Sequence, residues 1–290
     1  MKRLESMKDH ITGYLFIAPQ ILLFLVFLVY PIFEGLRLSF YNVSYGKETF
    51  IGFDNYQQLF ADPVFTKSLI NTVIFVVAIV ALTVIFSLFV ASAIFDKNAR
   101  YVSVIRGSYY VPVMVSMVVM SMIWSFLLNP ANGLIPYLTR ELGMGHINLL
   151  GNSKTVLPVI IFVTFAGNVG QAIILYVASM IGVPKDLFEA AEVDGANRIQ
   201  VIFKILIPSI RSTTIYITIL NIINVLKIFV VIQLLTGGGP NNSSTTLMYF
   251  LYNNAFKYNR LGLASAVGVI MLLTALLISL PYLRSMLKED

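Results

Sequence analysis

Residues 69–95 are almost entirely Val, Ile, Leu, Phe and Ala. A helix crossing a hydrocarbon core about 30 Å thick needs roughly 20 such residues at 1.5 Å each. Comparable runs recur at 14–33, 104–128, 155–180, 209–235 and 261–283. Lipid offers backbone groups no partner, so each run must satisfy its own N–H and C=O groups as a helix. Overall, 58% of residues are hydrophobic and 12% charged, with a mean hydropathy of +0.83. Soluble domains carry about 25% charged residues. The expected fold is all-α and integral to the membrane: six transmembrane helices in one domain over residues 1–290. The first run is too long for a signal-peptide core and lacks a small-residue cleavage site, so it reads as a retained helix. Pro19 and Pro31 are expected to bend it.

Six spans put both termini on one side, and the basic residues say which. Lys2, Arg3, Lys8, Lys97, Arg100, Arg106, Lys185, Arg198, Lys204, Arg211, Arg284 and Lys288 fall on one face. Arg37, Lys47, Lys67, Arg140, Lys154, Lys257 and Arg260 fall on the other. This modest bias favours cytoplasmic termini in a cell (inner) membrane. The net charge of +6 is thus topology information, not affinity for nucleic acid. The chain has no cysteine, which excludes disulfides and thiol chemistry. The two histidines, His10 and His146, lie in different polar segments, so no metal or histidine-based catalytic site is expected.

The longest polar interval with regular patterning is 184–208. Pro184 suits a first helical turn, and a short helix is expected to reach about Val193. Gly195 stands where a helix ends in a left-handed residue. A second helix should start near Ala196 or Asn197, with Ile199, Ile202, Phe203 and Leu206 on its apolar face, until Pro208 breaks it. An amphipathic hairpin resting on lipid would share this pattern. The spacing of Glu189-Ala190-Ala191, Asp194-Gly195-Ala196, Ile205 and Ile207-Pro208 also resembles the EAA loop of ABC importer permeases. Ile202 stands where an aromatic is common, with Phe203 beside it. The resemblance implies a cytoplasmic loop that docks in a groove of an ATPase subunit through Glu189, Ala190, Ala191, Asp194, Gly195, Ala196, Arg198 and Phe203.

Residues 232–256, IQLLTGGGPNNSSTTLMYFLYNNAF, resemble the span-five exit of carbohydrate importer permeases, of the maltose and multiple-sugar type. Gly237, Gly238, Gly239 and Pro240 would then form a loop facing a binding protein, although by composition alone they are an ordinary turn. FIGFDNYQQLFADPVF, residues 50–65, is similar to the family's first external segment. Val230 departs from the pattern, since an aspartate often follows the phenylalanine. The chain has no Gly-x-x-x-x-Gly-Lys-Ser/Thr loop, because Gly151-Asn152-Ser153-Lys154-Thr155 has the wrong spacing. Any ATP and Mg are therefore expected on partner ATPase subunits, and this chain is expected to be non-catalytic and to bind no cofactor.

A sugar path needs amides, hydroxyls and aromatic faces rather than catalytic carboxylates. Asn168 and Gln171 stand i, i+3 on span four, and Asn221 and Asn224 do the same on span five, with Lys227 beyond. Trp124, with Ser121 and Ser125, offers an aromatic from span three. Each amide could equally be interhelical glue. The resemblance implies a second permease subunit that is a paralogue, two ATPase subunits, an external sugar-binding protein, and a sugar substrate within membrane lipid. Rival readings are the same machine for another polar solute such as glycerol 3-phosphate, a self-sufficient secondary transporter, and a membrane scaffold.

Overall fold

The computed structural model describes residues 14–44, 46–143, 145 and 147–286. Lys2, Arg3, Lys8 and Lys288 of the charge bias, and both histidines, lie outside them. Among the described residues, four helices are long and apolar enough to cross a membrane, or up to six if each of two bent pairs is one span. By compactness the chain divides into two units, one ending at Ala61 and resuming over Leu251–Leu272, the other covering Asp62–Phe250 and resuming at Leu273.

The first unit opens with α1 (Tyr14–Leu38), whose most apolar stretch has no buried residue. Its Leu25–Val29 turn is wound as a π-helix. The segment after it carries regular structure. Strands β1 (Tyr41–Ser44) and β2 (Lys47–Phe50) pair antiparallel, Tyr41 opposite Phe50 and Val43 opposite Glu48. Helix α2 (Asp54–Ala61) follows. Arg37 ties the hairpin to α1, pairing with Glu34 at 2.6 Å and Glu48 at 3.0 Å. Buried Asn55 donates through Nδ2 to the carbonyls of Ser39 (2.8 Å) and Tyr41 (2.9 Å). The hairpin escaped sequence reading because its strands have four residues and β2 is exposed throughout, leaving no buried alternation to detect.

In the second unit, α3 (Pro63–Ile94) begins ahead of the expected residue 69. Asp62 accepts from the Val64 N–H at 2.7 Å and Pro63 takes the first turn. A stripe of small buried polar residues, Ser68, Thr72, Thr83 and Ser87, runs along α3. Ser68, Thr72 and Ser87 return their hydroxyls to carbonyls one turn back. Small side chains of this kind let membrane helices approach closely.

The expected third span is two helices, α4 (Ala99–Met114) and α5 (Met117–Leu127), meeting at 91°. Pro112 cannot donate to α4, and Ser116 Oγ caps α5 by accepting from Val119 N–H at 3.3 Å. The loop beyond contains α6 (Leu134–Glu141). Helix α7 (Val156–Ile181) matches the expected fourth span and packs along both α3 and α4. At Gly170 an added Cβ would lie 1.9 Å from the Tyr109 carbonyl oxygen, so only glycine fits this crossing with α4.

After α8 (Lys185–Val193) and α9 (Arg198–Ser209), the chain bends by 67° into α10 (Arg211–Leu226). Pro208 was expected to make this break. It instead lies inside α9 behind a π turn at Ile202–Leu206, and Ile210 (φ −106°, ψ 21°) carries the bend. The fifth span breaks again at residues 227–229 before α11 (Val230–Leu235).

Two apolar cores hold this unit together. One contains Ala91, Ile94, Val102, Ile173, Tyr176, Leu206 and Ile210. The other contains Phe75, Ile79, Ile160, Val163, Val225, Ile232 and Tyr249.

Candidate functional site

The 184–208 loop folds as the sequence predicts at its turn. Helix α8 ends in paired bonds, Ala196 N–H to Ala191 O at 2.9 Å and Gly195 N–H to Glu192 O at 3.0 Å. This closure needs a left-handed residue, and Gly195 has φ +72°. A capping box starts α9: Asn197 Oδ1 accepts from Gln200 N–H (3.0 Å), and Gln200 Oε1 accepts from Asn197 N–H (2.8 Å). That Asn-x-x-Gln signal was present in the sequence and passed unread.

Ala191, Leu206 and Ile210 are buried, and Phe188 packs on Phe95 with ring centres 5.8 Å apart. The loop is thus anchored to the core by one side only. Its other side presents Glu189, Ala190, Asp194 and Gly195 to the surroundings, with Ala196 half-buried. Val193 is 88% exposed and Phe203 66%, leaving apolar knobs for a partner groove. Arg198 differs from the rest: its Nη2 turns back to Asp96 Oδ1 at 3.0 Å.

At the opposite end of α3 lies the glycine turn. Gly237 and Gly238 have φ +56° and +84°, Asn241 and Asn242 are also left-handed, and the Gly239–Pro240 bond is cis. The turn was expected to be a bare, accessible loop. Only Gly237, Asn241 and Asn242 are exposed; Gly238 is buried, and Gly239 and Pro240 are half-buried. Thr245 Oγ1 donates to Gly238 O (3.1 Å) and Ser244 Oγ to Gly239 O (2.7 Å). A Cβ on Gly238 would lie 2.7 Å from Thr245 Oγ1 and 2.8 Å from the Tyr249 ring. A bulky Gly238 replacement would therefore meet Thr245 and Tyr249 before it met any partner.

Between these ends, α7 and α10 line a cavity of about 230 Å³ with Thr164, Asn168, Asn221, Asn224 and Lys227 in its wall. A smaller polar pocket adjoins it, adding Gln171 and sharing the three asparagines. Asn168 lies about 18 Å along α7 from Val156, near mid-helix. Asn168 Nδ2 donates to Thr164 O (2.8 Å) and Asn221 Nδ2 to Ile217 O (2.9 Å). Spending Nδ2 on the helix backbone leaves each Oδ1 available as an acceptor. Thr164 Oγ1 is buried there without a partner among the described residues.

Lys227 was expected within a continuous span. It is instead the residue at which α10 stops, its N–H bonded to Asn224 O at 3.2 Å. A cation at a helix C-terminus is favoured by the exposed carbonyls there. Trp124 does not join these residues; it packs edge-on against Phe162, ring centres 5.5 Å apart.

The family model described as "Binding-protein-dependent transport system inner membrane component" matches residues 83–285. The probable ABC transporter permease protein YurN of Bacillus subtilis is 35% identical over 282 residues, covering 96% of each chain. The arabinooligosaccharides transport system permease protein AraP of the same organism is 28% identical, covering 93% of this chain and 87% of its own. The sn-glycerol-3-phosphate transport system permease protein UgpA of Agrobacterium fabrum is 30% identical, with 91% and 90% covered. Among solved structures, a chain of a bacterial ABC transporter that imports the acidic polysaccharide alginate superposes with a TM-score of 0.87, covering 98% of both chains at 24% identity. At that identity the superposition speaks for the fold. The family match and the YurN relationship, together with the bundle described above, make this chain a member of the binding-protein-dependent inner membrane components, the non-catalytic permease subunits of ABC importers.

Proposed function

We propose that the chain is one permease subunit of an ATP-driven importer of carbohydrate, supplying half of the translocation path and one ATPase-coupling loop. The observation that carries the substrate class is the wall of the central cavity: three asparagines, a threonine hydroxyl and one lysine, with no carboxylate. Free amide Oδ1 atoms accept from sugar hydroxyls, and Lys227 donates to ring or hydroxyl oxygens. Asn168, Gln171, Asn221, Asn224 and Lys227 border the path in this reading, while Trp124, packed with Phe162, stands outside the cavity wall. AraP, named for arabinooligosaccharides, favours the same class.

The loop around Glu189 to Ala196 meets the ATPase subunit, which holds ATP and Mg. A second permease completes the path, and an external sugar-binding protein docks at the end carrying Gly237 and Asn241. A solved bacterial alginate ABC transporter of similar fold was captured in complex with an alginate pentasaccharide-bound periplasmic protein, which supports such a partner here. Both termini are then cytoplasmic. Glycerol 3-phosphate is the rival solute, favoured by Lys227 and by the UgpA relative.

The test is uptake into proteoliposomes carrying the full assembly. Carbohydrate uptake that requires ATP and the binding protein is expected, and it should fall severalfold in Lys227→Met and Asn224→Ala with binding-protein affinity unchanged. Wild-type uptake by both variants moves the path elsewhere. Uptake of glycerol 3-phosphate but no carbohydrate replaces the substrate class. Uptake by this chain alone on an ion gradient refutes the importer reading.

A further inference from the structure

Among the described residues of its unit, helix α3 is an unbroken span with no glycine and no proline beyond its first turn. The other unbroken span, α7, carries Pro158, Gly167 and Gly170. At 1.5 Å per residue the 32 residues of α3 extend about 48 Å. Each end is tied to one of the two motif-bearing loops. At the first end, Lys67 Nζ donates to Asn241 O (2.6 Å), and Asn71 Nδ2 donates to Thr245 O (2.9 Å) and Asn242 O (3.3 Å). Thr72 Oγ1 accepts from Leu247 N–H at 2.9 Å.

At the other end, Arg198 Nη2 donates to Asp96 Oδ1 (3.0 Å), Ala93 O (3.2 Å) and Ser92 O (3.4 Å). Those carbonyls belong to the last turn of α3, which has no helical donors of its own, and a cation there is favoured by the helix dipole. The Arg198–Asp96 pair is about half exposed, so as an isolated ion pair it adds little stability. One guanidinium spanning a carboxylate and two carbonyls instead fixes where the coupling loop stands relative to α3.

We propose that α3 is a rigid strut joining the outer glycine turn to the coupling loop, with Asn71 and Asp96 as its positioning residues. It rests on the importer reading: docking of a binding protein at the turn is passed to the ATPase through this one helix. Because the ties are specific hydrogen bonds, loosening either end should uncouple the loops without dismantling the bundle.

The experiment uses the complete reconstituted assembly and compares basal with binding-protein-stimulated ATP hydrolysis. Asp96→Ala, Asp96→Asn and Asn71→Ala should keep basal hydrolysis and lose about fivefold or more of the stimulation, the low end of coupling between distant sites. Asp96→Glu should restore it, and Arg198→Lys, which loses the planar fork, should restore only part. Wild-type stimulation in Asp96→Ala and Asn71→Ala overturns the strut. Equal loss of basal and stimulated hydrolysis also overturns it, as the mark of a merely structural role. A wild-type assembly without ATP-driven uptake fails the importer reading itself, and the strut falls with it.

Discussion

Replacing Gly195 isolates backbone strain from side-chain clash in the coupling loop. Its φ is +72°, and nothing lies within 4 Å of an added Cβ. The whole penalty is then the cost of holding an L-residue in the left-handed region, about 1–2 kcal/mol. That corresponds to a factor of roughly 5–30 in the ratio of closed to open turn. Asparagine visits this region readily and should cost least, alanine more, and the β-branched valine most. Helices α8 and α9 keep their other caps, so the protein should still insert and assemble. The measurement is binding-protein-stimulated ATP hydrolysis while the ATPase subunit is titrated. A smaller competent fraction raises the ATPase concentration at half-saturation in inverse proportion, by up to that factor, and leaves the maximal rate unchanged. The expected order is Gly, Asn, Ala, Val. Equal half-saturation for Asn and Val would refute the strain argument. A weaker Asn than Ala would show that side-chain contact, not φ, sets the requirement.

Three further outcomes follow from the same geometry. Single cysteines in this cysteine-free chain should be labelled from the cytoplasm at Asn197 and from outside at Asn242, and the opposite pattern at both would invert the assignment of the two loops. Gly170→Ala should lower thermal stability in detergent by about 1–3 kcal/mol, the usual cost of overpacking, because its Cβ would overlap the Tyr109 carbonyl; a rise, as helix propensity alone predicts, would mean that α4 yields freely. Gly238→Ala should reduce the yield of folded protein through its clash with Thr245 and Tyr249, and normal yield with lost binding-protein stimulation would restore the simpler picture of an exposed docking loop.

The sequence legibly carried whatever depends on local pattern. Runs of apolar residues located the membrane crossings because a helix is the only way to satisfy their backbone in lipid. Gly195 announced its left-handed turn because its conformation is decided by its own missing side chain. The EAA-like spacing and the 232–256 stretch pointed to the family that the comparisons then supplied. Asn168 with Gln171, and Asn221 with Asn224, could be paired from sequence, since i, i+3 spacing puts each pair on one helix face.

Other features depended on partners far along the chain. The break at residues 227–229 follows no proline, and the bend at Ile210 falls two residues past Pro208 rather than at it, so composition placed neither. Gly238 looked free until Thr245 and Tyr249 closed over it, and Trp124 looked available until it packed edge-on with Phe162. Arg198 read as a contact for a partner, whereas its acceptors lie about a hundred residues earlier in the chain, on α3 and the turn after it. Local steric preference is written residue by residue and can be read in order. Which groups meet across helices is decided only when the spans pack, because that choice belongs to pairs of residues and not to either member alone.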